Sequence, residues 1–157
     1  MNRVCVLGVE IDNVSMVETL AQISRIVDGN EFAYAVTPNV DHLMRLRGDC
    51  TFREIYKAAQ LVVADGVPLV WASRILGRPL KERVNGTDLF ERTCALAAQR
   101  GYSVYLLGGN PGSAVKAGRR LSDKHALKIA GWFCPDLGFE DDPAQNRAIQ
   151  NLSLIHI

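Results

Sequence analysis

The segment 102–113, YSVYLLGGNPGS, runs from a string of β-forming residues into a glycine-rich turn and a polar stretch. Residues 104–107 have the length and apolar character of a buried strand, and the residues from Ser113 to Leu121 have helical spacing. A strand followed by a helix is the repeating unit of parallel sheets, because parallel neighbours need a crossover connection between them. This unit therefore predicts an α/β fold.

The same alternation extends along the rest of the chain. Strands are predicted at residues 3–9, 32–37, 61–64 and 127–130. Helices are predicted after the capping boxes Ser15/Glu18 and Thr51/Glu54, and over residues 67–76 and 88–100. We expect a Rossmann-like α/β sandwich, in which helices cover both faces of a mainly parallel sheet.

The composition is that of an ordinary globular protein and excludes several functional classes. The 157 residues carry a formal net charge of +1, which gives no field for binding nucleic acid. The apolar start of the chain is too short for a signal peptide, which predicts a cytoplasmic protein. The longest apolar region, residues 61–76, is interrupted by Asp65, Gly66 and Pro68 and is not expected to span a membrane.

Polar residues follow two of the predicted strands, where α/β proteins usually bind their ligands. Thr37 and Asn39 come after the strand at 32–37, and Asp65 comes after the strand at 61–64. A carboxylate at such a position suits a general base. Asn39 equally suits a helix cap, and Asp65 with Gly66 equally suits a turn.

Two loops have the composition of an anion site. Backbone N–H groups at the start of a helix attract a diphosphate, and arginine binds phosphate oxygens bidentately. The residues of the first loop are Arg83, Asn85, Gly86, Thr87 and Asp88, and those of the second are Gly108, Gly109, Asn110, Pro111 and Gly112. A salt bridge or an ordinary helix cap explains the first loop equally well, and a tight βα turn explains the second.

The motifs of metal and nucleophile chemistry are missing from the sequence. The cysteines form no C-x-x-C pair, the histidines are scattered, and no Asp-x-Asp pair occurs. No G-x-S-x-G elbow occurs either. We therefore expect neither a metal nor another cofactor.

Taken together, these segments resemble the WecG/TagA/CpsF family of bacterial glycosyltransferases in order and spacing. The matching pieces are residues 37–43, 52–53 with Ala59, 61–66, 77–80 with 83–84, 86–90, and 107–112. The resemblance implies a single glycosyltransferase domain over residues 1–151, incomplete at its C-terminal end. Residues 152–157 look unrelated to the family and are expected to be a non-native or truncated tail.

The resemblance also implies a reaction. Enzymes of this type invert the anomeric centre as they move N-acetylmannosamine from a UDP donor to undecaprenyl-diphosphate-linked N-acetylglucosamine. They work at the inner membrane face, as peripheral proteins, in building teichoic acid linkage units, enterobacterial common antigen or capsule. By resemblance, Asp65 is the catalytic base, Thr37 and Asn39 line its pocket, and the two anion-site loops face the UDP-sugar.

Two other interpretations remain open at this stage. A non-catalytic nucleotide-binding module would use the glycine-rich turn and not Asp65. An interaction fragment would pair an exposed sheet edge with another chain, and a homo-oligomer is compatible with the sequence.

Overall fold

The computed structural model describes residues 2–29 and 32–153 and has the α/β fold class that the sequence predicts. The contacts of the chain group residues 1–93 and 94–157 into two compact units, which are described separately below. The predicted single domain over residues 1–151 stays a prediction.

The strands are β1 (Arg3–Val6), β2 (Val9–Asp12), β3 (Ala35–Val36), β4 (Leu61–Val62), β5 (Ser103–Leu107) and β6 (Lys128–Phe133). The helices are α1 (Met16–Asp28), α2 (Val40–Gly48), α3 (Cys50–Ala58), α4 (Val67–Ile75), α5 (Gly86–Arg100), α6 (Ser113–His125) and α7 (Pro143–Ser153), with a short 3-10 helix at Phe139–Asp141.

The described strands pair into three two-stranded sheets. Strands β3 and β4 are parallel, and so are β5 and β6. Strands β1 and β2 form an antiparallel hairpin in which Val6 pairs with Val9. The single strand predicted over residues 3–9 is therefore wrong, because the chain reverses at Leu7 and Gly8.

The hairpin turn has an unusual residue at its tip. Leu7 and Gly8 both have positive φ angles, 51° and 87°, which is the geometry of a type I′ turn. This turn favours asparagine and glycine, whereas leucine in the left-handed region costs about 1–2 kcal/mol. Leu7 is also 62% exposed, so burial offsets little of that cost.

An ion pair between a half-buried arginine and a buried aspartate fixes the hairpin to β4 in the first unit. The Asp12 carboxylate is fully buried and accepts hydrogen bonds from Arg3 Nε (3.0 Å) and from the backbone N–H of Val62 (2.8 Å). Arg3 also donates to the carbonyl of Ala59 (3.0 Å). A core of buried side chains from the strands, α2, α3 and α4 packs around this arrangement. The polar contacts therefore set the position of the hairpin against the parallel strands.

The helix starts of the first unit follow local capping rules. Both hydrogen bonds of the predicted Ser15/Glu18 capping box are present at the start of α1. The second predicted box is wrong, because α3 begins earlier and Thr51 is its second residue. Its cap is Asp49, whose side chain accepts the N–H of Phe52 (2.8 Å). Aspartate is the better cap, since its charge also complements the helix dipole.

The second unit contains β5, β6, α6 and α7. Buried Leu121 and Leu127 pack with Cys94 and Ala97 into its core. The predicted helix following the glycine-rich turn is present as α6. The predicted tail begins in α7 with Leu152 and Ser153, and residues 154–157 lie outside the described residues. Within the described parts of the chain, no helix is both long and apolar enough to cross a bilayer.

Candidate active site

The ends of β3 and β4 bring two of the predicted catalytic residues to one edge. These strands are parallel and pair in register, Ala35 with Leu61 and Val36 with Val62. Pairing continues beyond the strands, since the backbone N–H of Asp65 donates to the carbonyl of Pro38 (3.0 Å). At this register Thr37 lies opposite Val63 and Asn39 lies opposite Asp65, so Thr37 and Asp65 stand two positions apart on neighbouring segments. The Asp65 side chain is 27% exposed, so its carboxylate is sheltered but reachable.

Gly86 lies against both of these side chains. A β-carbon built on Gly86 would come within 3.1 Å of Asp65 Oδ2 and 3.4 Å of Thr37 Oγ1. The first distance is shorter than ordinary van der Waals contact, so only glycine leaves the carboxylate in its present position. The first residue of α5 therefore belongs to the same cluster as Thr37 and Asp65.

Arg83 adds a positive charge at the rim of this cluster. Its Nη2 lies 3.8 Å from Asp65 Oδ1, and its Nε donates to the backbone carbonyl of Asp65 (3.4 Å). The arginine side chain is 41% exposed, which leaves donors available to a ligand. The sequence allows a salt bridge as the alternative to an anion-binding role for Arg83. The structure contains that salt bridge, with a long separation between Arg83 and Asp65.

The loop that carries Arg83 is held by residues that sequence reasoning missed. Val84 is buried, and its N–H donates to the carbonyl of Ala64 (2.9 Å), which extends the strand pairing. Asn13 Oδ1 accepts the N–H of Lys81 (2.8 Å), and Glu82 Oε2 accepts the N–H of Met16 (2.9 Å). These partners lie 66 to 68 residues apart in sequence, so no local pattern predicts them.

The other predicted residues near this edge are helix-start residues. Asn39 Oδ1 accepts the N–H of His42 (3.0 Å), so the capping alternative for Asn39 is confirmed. Asn85 Oδ1 accepts the N–H of Thr87 (2.8 Å), and Asp88 lies exposed in the first turn of α5. Their predicted contacts with a substrate stay predictions.

The glycine-rich turn belongs to the second unit and has the backbone geometry that only glycine adopts easily. Gly108, Gly109 and Gly112 have φ angles of 100°, 81° and 78°. A β-carbon on Gly109 would clash with Ser113 Oγ. Helix α6 starts without a side-chain cap, and the hydroxyl of Ser113 donates instead to the carbonyl of Asn110 (2.6 Å). Both the tight-turn interpretation and the anion-site prediction for residues 108–112 fit this geometry.

Comparison with known proteins identifies the family. The model of the glycosyl transferase WecG/TagA/CpsF family matches residues 4–154, nearly the whole chain. The chain belongs to this family. The resemblance inferred from the sequence motifs is thereby confirmed, and the matched region contains every residue predicted for the site.

Curated relatives give the family match more detail. The chain is 29% identical over 108 residues to the N-acetylglucosaminyldiphosphoundecaprenol N-acetyl-beta-D-mannosaminyltransferase of Staphylococcus aureus strain NCTC 8325 / PS 47. The proteins of the same name from strains COL and MSSA476 match equally. Each match covers 68% of this chain and 42% of the relative. This chain therefore spans less than half the length of these curated glycosyltransferases.

No cluster that suits a metal ion occurs among the described residues. Within residues 2–29 and 32–153, no three histidine, cysteine, aspartate or glutamate side chains lie together as a ligand set. Asp65 has Arg83 as its charged neighbour. The cluster around Asp65 offers a carboxylate, the hydroxyl of Thr37 and the guanidinium of Arg83.

Proposed function

We propose that this chain is the base-carrying part of an inverting glycosyltransferase. It moves N-acetylmannosamine, or a related sugar, from UDP to undecaprenyl-diphosphate-linked N-acetylglucosamine. The single observation that carries this proposal is the convergence of Asp65, Thr37 and Gly86 beside Arg83 at the ends of β3 and β4. The names of the Staphylococcus aureus relatives support the sugar and the lipid-linked acceptor.

The chemistry assigned to the cluster is one proton transfer coupled to one displacement. The acceptor hydroxyl gives its proton to the Asp65 carboxylate while its oxygen attacks the anomeric carbon from the face opposite UDP. The bond to the UDP oxygen breaks, and the configuration inverts. A positioned base of this kind contributes about 10² to 10⁴ in rate.

The remaining residues are assigned to positioning and to the charge of the departing UDP. Thr37 Oγ1 borders Gly86, as the Asp65 carboxylate does, and is assigned to orient the acceptor hydroxyl or the sugar. The free donors of Arg83 suit diphosphate oxygens. In the second unit, the N–H groups at the start of α6 suit a diphosphate by themselves, and glycines 108, 109 and 112 let an anion approach the backbone. This assignment requires no metal, and the lipid-linked acceptor places the reaction at a membrane surface.

The test replaces Asp65 in a full-length family enzyme that carries this segment. Asp65→Asn keeps the shape of the side chain and removes the base, so turnover should fall about 10²- to 10⁴-fold. The dissociation constant for UDP should change less than about twofold, since the change affects the chemical step. The matched control is Asp41→Asn, which removes an exposed carboxylate from the first turn of α2.

Two results would contradict the proposal. Unchanged turnover in Asp65→Asn would show that the carboxylate is not the base. Calorimetric titration of the present chain with UDP and with ATP tests the donor, and equal or absent binding of both would remove the nucleotide-sugar assignment. UDP binding without any sugar transfer in the full-length enzyme would favour the non-catalytic module.

A further inference from the structure

The loop of residues 81–83 is anchored in the core of the first unit at both of its ends. Leu80 and Val84, which flank it, are buried. The N–H of Leu80 donates to the hydroxyl oxygen of buried Ser73 (3.0 Å), and the N–H of Val84 donates to the carbonyl of Ala64 (2.9 Å). The three residues between these anchors are exposed. The anchors therefore fix where the loop begins and ends, and other contacts must fix the path between them.

The guanidinium of Arg83 is held only loosely by its own contacts. Its Nη2 lies 3.8 Å from Asp65 Oδ1, which is too far for a hydrogen bond. Its Nε donates to the backbone carbonyl of Asp65 over 3.4 Å, whereas such bonds are usually about 2.9 Å long. Ion pairs between partly exposed side chains also contribute little. The position of Arg83 beside Asp65 therefore depends on the path of its backbone.

The chain from the end of β2 into the first turn of α1 makes the hydrogen bonds that define this path. Asn13 Oδ1 accepts the backbone N–H of Lys81 (2.8 Å). Glu82 Oε2 accepts the backbone N–H of Met16 (2.9 Å). The Lys81 ammonium also donates to Glu18 Oε1 (2.8 Å). Two of the three exposed loop residues, including the one directly before the arginine, are thus tied to one short segment.

The same segment also holds the strand that leads to Asp65. Asp12, the residue next to Asn13, accepts the backbone N–H of Val62 in β4 (2.8 Å). Asp65 follows Val62 by three residues. Two adjacent side chains therefore hold the strand of the carboxylate and the loop of the arginine. Supporting hydrogen bonds of this kind keep functional groups at a fixed separation.

We infer that Asn13 and Glu82 are positioning residues for Arg83. They hold its loop so that the guanidinium stays beside Asp65 and can meet the diphosphate oxygens. The inference rests on the proposed function, because these residues take part in the reaction only through Arg83. Neither side chain is assigned a contact with the substrate. A shift of the guanidinium by about 0.5 Å should cost about tenfold in rate, since a misplacement of about 1 Å costs about 10²-fold.

A purely structural role for Glu82 would be to cap α1, because Met16 is the first residue of that helix. Ser15 is the local cap of the same helix, and its side chain accepts the N–H of Glu18 (3.2 Å). Ser15→Ala removes this cap and leaves the bonds of Asn13 and Glu82 in place. It is therefore the matched control for loss of a cap without release of the loop.

The test is a double-mutant cycle for sugar transfer in a full-length family enzyme that carries this segment. Glu82→Ala and Asn13→Ala should each lower turnover about tenfold. Glu82→Gln and Asn13→Asp keep the accepting oxygen and should stay within about twofold of wild type. Arg83→Gln should lower turnover at least as much as Glu82→Ala. Adding Glu82→Ala to Arg83→Gln should cause no further loss, because no arginine remains to be positioned.

The control Ser15→Ala should lower the urea midpoint and keep wild-type turnover. The inference is overturned if Glu82→Ala keeps wild-type turnover, if its loss persists in the Arg83→Gln background, or if Glu82→Gln is equally slow. An equal loss of turnover in Ser15→Ala would overturn it as well. Wild-type turnover in Arg83→Gln would end both this inference and the role proposed for the arginine. Failure of the proposed base is seen separately, as unchanged turnover in Asp65→Asn.

Discussion

Replacing Gly86 with alanine tests whether the space beside Asp65 matters for catalysis. The new β-carbon would lie 3.1 Å from Asp65 Oδ2, where ordinary contact begins at 3.4 Å. The carboxylate must then move by about 0.3 Å, given the usual spacing of packed atoms. A misplacement of about 1 Å costs about 10²-fold in rate, so a shift of this size should cost about fivefold.

Stability should change little in the same variant. Alanine in place of glycine at a helix start reduces the entropy of the unfolded chain, by at most about 1 kcal/mol. The crowding of a partly exposed carboxylate offsets part of that gain. The free energy of unfolding from urea titration of the present chain should therefore stay within about 1 kcal/mol of the wild type.

The activity assay is sugar transfer to a lipid-diphosphate acceptor analogue, in a full-length family enzyme that carries this segment. The control is Gly48→Ala, because a β-carbon on Gly48 would meet no atom within 4 Å. Turnover should fall in Gly86→Ala and not in Gly48→Ala. Wild-type turnover in Gly86→Ala, or an equal loss in both variants, would refute the view that this close approach positions the base.

Two further predictions concern stability. Asp12→Ala should lower the free energy of unfolding by about 3 kcal/mol, since it leaves the buried N–H of Val62 without its acceptor and breaks the pair with Arg3. Glu54→Ala, which breaks an exposed pair, should cost less than about 0.5 kcal/mol, and similar urea midpoints for the two variants would contradict the assignment. The backbone N–H of Phe52 donates to the Asp49 carboxylate and lowers its pKa below the usual 3.8. The ionised carboxylate therefore stabilises the fold fully above pH 3.8. This stabilisation is lost as the pH falls through the lowered pKa. The stability advantage of wild type over Asp49→Asn, which still caps but does not titrate, should therefore shrink on acidification, and a constant difference between pH 7 and about pH 3 would exclude this contribution.

The contacts that the sequence predicted well are short in sequence. The Ser15/Glu18 capping box was readable because three residues of helix bring its two side chains to each other's backbone. Gly77 and Gly101 directly follow the helices predicted over residues 67–76 and 88–100, and their positive φ angles are typical of glycines that end helices. Thr37 and Asp65 were also identified locally, because each follows directly after an apolar run. The family motifs are short segments of the same kind.

The local errors have local causes. The residues from Val4 to Val9 are almost all apolar, so their pattern hid the reversal at Leu7 and Gly8. Asparagine or aspartate before a glycine, in the middle of a run of β-forming residues, predicts a hairpin turn. Here leucine stands before the glycine, so that signal is missing. Asp49, and not Thr51, caps α3. Both residues are favoured at helix N-caps and lie two positions apart, and the charged side chain is the stronger cap.

The sequence by itself determined the α/β class, most element positions and the residues at the strand ends. Tertiary structure alone decided that Gly86 touches Asp65 and Thr37, and that Asn13 and Glu82 hold the loop of Arg83. The physical reason is the range of the interactions involved. A cap is fixed by covalent geometry within one turn, whereas partners on different elements, such as Gly86 with Asp65 or Met16 with Glu82, meet only after the intervening strands and helices have packed.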